Sequence, residues 1–161
     1  MFKILQSSRR LALAMMLVAS AAIAGCGESR QAQCEGIAEI VNATASQMQA
    51  ASGSANSFSQ GAQLAEQAAN QLQSLQLGDE GLATLNQHLV KGYRDWSAVG
   101  QEMASIAGSD GSVVTSGNSP ANDTIVRWQE VTTEFQSVQT ATQNYCQGGP
   151  MPPEYSSPPG T

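Results

Sequence analysis

Leu82, Leu85, Leu89, Gly92, Trp96, Val99, Met103 and Ile106 recur at steps of three and four between Asp79 and Ala107. That spacing places all of them on one face of a long helix. Such a stripe needs partners along its whole length, and three other segments offer matching ones. Cys34, Ile37, Val41, Thr44, Met48 and Ala51 form a stripe over about 31–51. Phe58, Gly61, Ala65, Ala68, Leu72 and Leu75 do so over about 57–77. Thr124, Trp128, Val131, Phe135, Val138, Thr142 and Tyr145 form the fourth, ending near Cys146. Only 5% of residues are aromatic, while Ala, Gln and Ser abound. That balance suits helices with small side chains better than a sheet sandwich. The expected fold is all-α, an antiparallel up-down-up-down four-helix bundle.

The punctuation between stripes agrees. The run from Ser52 to Ser57 breaks the first helix from the second. Gly78 reads as the residue just past helix two, and Asp79 as the cap of helix three. Ser119 caps helix four, Pro120 takes its first position and Asp123 lies in its first turn. Gln147-Gly148-Gly149-Pro150 ends it. Met151 to Thr161 carries Pro152, Pro153, Pro158 and Pro159 and is expected to be extended or disordered. Gly92 leaves room in the stripe that Trp96 or Trp128 is expected to fill.

Ahead of the helices, Met1 to Arg10 holds Lys3, Arg9 and Arg10 and no acid, and an apolar run follows from Leu11 to Ala24. Fourteen helical residues reach roughly 21 Å, short of a hydrocarbon core of about 30 Å, so the run reads as a cleaved leader. It closes on Ile23-Ala24-Gly25-Cys26, which resembles the lipobox of a bacterial lipoprotein precursor. The resemblance covers about the first 27 positions. It implies cleavage before Cys26 and lipid on the cysteine's sulfur and new amino terminus. The chain then divides into a signal peptide (1–25), the lipidated cysteine and tether (26–33), the bundle (34–146) and a Pro-rich disordered tail (147–161). Gly27, where an Asp would signal retention in the inner membrane, leans the resemblance towards the outer membrane, facing the periplasm or the surface. Ser8-Arg9-Arg10-Leu11 also resembles a twin-arginine export signal, although an ordinary leader accounts for the same residues.

Topology makes a statement about the other cysteines. In an up-down-up-down bundle the start of helix one and the end of helix four share an end, where Cys34 and Cys146 lie. With Cys26 reserved for lipid and an oxidising exported compartment, a Cys34–Cys146 disulfide is expected, against two free thiols or a metal pair.

The chain carries −6 overall, but losing Lys3, Arg9 and Arg10 leaves four basic against 13 acidic residues, or −9. That argues against nucleic acid and against a basic patch on anionic lipid, leaving the anchor on Cys26 as the membrane contact. No catalytic, metal or cofactor pattern stands out. His88 is the single histidine, with Lys91 and Gly92 at the positions where a second ligand would sit. Glu35 with Glu39, and Glu130 with Glu134, read as solvated faces. The sequence thus points to a non-enzymatic, lipid-anchored envelope module that contacts a protein partner. Contact is expected through the loops at the end far from the membrane, with Val113 and Val114 as the apolar pair. The alternative is a periplasmic small-ligand or cofactor binder with a cavity near Gly92, Trp96 and Trp128.

Overall fold

The computed structural model describes residues 28–52, 56–108 and 120–160. It contains four long helices: α1 (Arg30–Ala51), α2 (Ser57–Gln73), α3 (Glu80–Ile106) and α4 (Pro120–Cys146), then a single 3-10 turn (Pro153–Tyr155). There is no strand among the described residues, and no described helix is long and apolar enough to cross a membrane. The fold is the expected all-α four-helix bundle.

Helix ends follow local chemistry. The Ser29 hydroxyl accepts from the Ala32 amide at 3.2 Å, so α1 begins at Arg30. Arg30 to Gln33, assigned to the tether on sequence grounds, therefore belong to the folded bundle. Asp79 accepts from the Leu82 amide at 2.9 Å and caps α3 as expected. Beyond α4, Gly148 takes a positive φ of 91°, and the Gly149 amide closes onto the Asn144 carbonyl at 2.9 Å. Helix α2 stops at Gln73, four residues before the expected Leu77. The cause is Asn86, buried on α3, whose amide donates to the Leu72 carbonyl at 2.8 Å. That carbonyl also accepts from Leu75, so the helical bond it would make to residue 76 is replaced. Gly78 is consequently not the end of a helix.

The core gathers Leu72, Leu82, Leu85, Leu89, Val99 and Tyr93, all at most 2% exposed. Helix α2 supplies Ala62, Ala65, Ala68 and Ala69, which let α3 approach closely, and α2 with α3 is the most extensive pairing. Helix α4 packs on α3 and α1 on α2, whereas α1 meets α4 only locally.

The aromatic residues are placed differently from the sequence expectation. Phe135 fills the space over Gly92, where an added Cβ would stand 2.7 Å from its ring. Trp96 lies over Gly61 instead, and Trp128 lies against Gly100. The two indoles are tilted together at 4.5 Å, with Phe58 edge-on to Trp128. The cavity expected near Gly92 and the tryptophans is thus filled, with only about 10 Å³ remaining beside Gly92.

The carboxy-terminal segment, expected to be extended or disordered, runs back over α3 as irregular chain with one short turn. Met151 and Tyr155 pack against the core, and Tyr155 meets His88 edge-on at 5.1 Å. A ring nitrogen of His88 (Nε2) lies 2.8 Å from the Ser157 carbonyl oxygen. Prolines limit what this segment loses on ordering, and the half-buried Tyr155 ring packs it against the core.

Two glycines test the packing with opposite signs. Gly92→Ala is expected to lower stability by about 1 kcal/mol, because overpacking Phe135 at about 1–3 kcal/mol exceeds a helix-propensity gain of at most about 1 kcal/mol. Gly36→Ala, with nothing within 4 Å of the new methyl, should raise it by up to about 1 kcal/mol. Chemical denaturation of the two variants measures both.

Candidate functional site

Three distant stretches of chain meet at one end of the bundle. The Cys34 and Cys146 sulfurs are joined there at 2.09 Å, linking the start of α1 to the end of α4 across a separation of 112 residues. Immediately before Cys34, the buried Gln33 side chain accepts from the Gly78 and Asp79 amides at 2.9 and 3.1 Å and donates to the Glu28 carbonyl at 2.7 Å. The Arg30 guanidinium stacks 3.7 Å above the Tyr145 ring and donates to the Tyr145 carbonyl at 2.7 Å. The Tyr145 hydroxyl in turn donates to Asp79 at 3.0 Å. Gly81 is required by this arrangement, since a Cβ there would overlap the Tyr145 hydroxyl. Burial, then the bond to Asp79 and its charge, push the Tyr145 hydroxyl pKa up.

From this clamp α1 and α4 diverge, and a groove of about 560 Å³ opens between them. The disulfide forms one boundary and Leu89 of α3 lies beneath. Ile37, Ala38, Val41 and Ala45 line the α1 side; Gln139, Thr142 and Gln143 line the α4 side. The Thr142 hydroxyl is occupied by the Val138 carbonyl at 2.8 Å, so it makes no polar demand on a guest. Gln31, Asn42 and Gln147 add neutral polar groups. The only ionisable lining group is Glu35, exposed and accepting from Gln31 at 3.2 Å. The groove is therefore suited to an apolar body within a neutral rim. It offers no acid–base pair.

Buried Tyr93 lies close by, its ring against Phe135 at 4.5 Å. Burial pushes its pKa up to about 12, opposed by hydrogen bonding from Thr44 on α1 and Gln139 on α4.

The sequence expectations divide accordingly. Cys34 and Cys146 are brought together. Cys26 and the Val113–Val114 pair lie outside the described residues. His88 sits on the side covered by the tail, away from the groove lining. No group of three or more His, Cys, Asp or Glu residues that would hold a metal occurs among the described residues. Arg94 donates to Gln73 at 2.6 Å, and Asp95 pairs with Lys91. Gln33 and Asn86 escaped the sequence reading, although each is a polar residue in register with a buried stripe. Compared with protein-family models, curated proteins and solved structures, the chain matches none of them.

Reduction of the disulfide, or Cys146→Ala, is expected to lower stability by about 2–5 kcal/mol, read from denaturation with and without reductant. Alkali should destabilise the fold through Tyr93. Its folded pKa lies above the ordinary value of 10.0, so its contribution is complete below pH 10 and lost as pH rises towards about 12. Stability measured across that window should fall less steeply in Tyr93→Phe.

Proposed function

We propose that the chain is a lipid-anchored cell-envelope lipoprotein, held by lipid on Cys26 at the outer membrane, whose bundle is a non-enzymatic structural or protein-interaction module. The observation that carries this reading is the basic-then-apolar leader closing on Ile23-Ala24-Gly25-Cys26. Two features support it. The Cys34–Cys146 bond suits an oxidising compartment. The α1 cap, Ser29, lies only three positions after Cys26, so the linking chain reaches about 10 Å at most and the clamped end faces the membrane.

In this orientation the α1–α2 and α3–α4 connections are the far tip, roughly 30 Å away for helices of about 20 residues. Loops on a rigid scaffold are the usual place for recognition. Partner contact is accordingly assigned to these connections, with Val113 and Val114 as its apolar pair. A second reading, a small-ligand binder, is favoured by the α1–α4 groove, whose volume falls within the range of about 300–1,000 Å³ typical of ligand sites.

Cys26→Ser is expected to abolish incorporation of labelled fatty acid and to leave an uncleaved or soluble product. Wild-type protein with no lipid on Cys26, and membrane extraction indifferent to the substitution, would refute the anchor.

A further inference from the structure

The groove and the attachment point of the proposed lipid belong to the same end of the fold. The groove lining begins at Gln31, and Ser29, at the start of α1, is within about 10 Å of chain from Cys26. Along α1 it continues to Ala45, fourteen steps of about 1.5 Å, or roughly 21 Å. The acyl chains of one leaflet fill half of a hydrocarbon core of about 30 Å, so the groove exceeds their length of roughly 15 Å.

Volume and charge select among occupants. The groove offers about 560 Å³, suited to a slender chain. A second copy would bring another −9 charges against the first, and self-repulsion opposes that pairing. Ala38, Val41 and Ala45 provide the accessible apolar contact along the α1 wall, with Ile37 and Leu89 almost fully buried behind them and no buried charge to desolvate.

We infer that the α1–α4 groove sheathes one acyl chain of the protein's own Cys26-bound lipid whenever the protein is away from a bilayer. This rests on the lipid-anchor reading. Withdrawing methylenes from water drives the chain into the groove. A bilayer offers the same burial to all the lipid's chains together, so membrane insertion empties it. The groove thereby shields part of the anchor in water without competing strongly with the membrane.

The test uses full-length lipidated protein from cells fed a diazirine-bearing fatty acid, with lipid on Cys26 measured by intact mass. In detergent-free buffer, illumination should crosslink the chain within the same molecule to peptides containing Ala38, Val41 or Ala45. Reconstitution into phosphatidylcholine vesicles should reduce those crosslinks about tenfold, the ratio for about 1.4 kcal/mol. Ala38→Trp combined with Ala45→Trp, both at exposed wall positions, should reduce them similarly with lipid mass and helix content unchanged. Should that pair unfold, the single Ala38→Trp variant provides the same readout. Lipid on Cys26 with crosslinks outside the groove, or between two copies, overturns this inference and leaves the anchor standing. Absence of lipid on Cys26 overturns both.

Discussion

Four helices become one body where the start of α1, the α2–α3 link and the end of α4 are fastened together. Magnitudes rank the fastenings. Closing a loop of over a hundred residues makes the disulfide worth about 4–5 kcal/mol on the chain-entropy view. Each hydrogen bond made by Gln33 contributes about 1 kcal/mol. The Arg30–Asp79 pair, at 3.8 Å with both side chains partly exposed, adds less than that. Its role is geometric: with Arg30 over the Tyr145 ring, it sets where α1 lies against α4.

Away from that end, side-chain size decides how the helices pack. Alanines on α2 bring it close to α3, while Gly61 and Gly92 admit Trp96 and Phe135 on different sides of α3. The bulk of the core is satisfied by α2, α3 and α4. Helix α1 is held at the clamp and along α2, and meets α4 only locally. The groove is the consequence. Its surface is apolar because α1 and α4 carry Ile37, Val41 and Thr142 for a core that α1 only partly enters. Under the proposed lipid anchor, the clamped end is the one next to the membrane, and the apolar slot begins there.

The docked tail shows the same economy on the opposite face. Tyr155, His88 and Phe135 border the narrow space beside Gly92, and the segment covers what α3 and α4 leave open. Burial and nearby acidic groups, Glu154 and Glu134, raise the Tyr155 pKa.

Helix number, helix phase and most boundaries were legible in the sequence, because a stripe at steps of three and four is a property of local spacing. The cysteine pairing was legible for a related reason: antiparallel connectivity alone brings Cys34 and Cys146 to one end. The filling of each glycine notch was not. Whether Phe135, Trp96 or Trp128 enters the space over Gly92 depends on the rotation and offset of neighbouring helices, which periodicity leaves free. The early end of α2 depends on a side chain fourteen residues ahead, Asn86, taking the Leu72 carbonyl. The tail's course depends on a partner surface that exists only after α3 and α4 have packed. The groove likewise has no local signature, since α1 carries the same stripe whether or not α4 closes upon it. Local periodicity and chain order determined which helices form and which ends meet; the competition of side chains for shared volume, a property of the assembled core, decided where the fold is filled and where it opens.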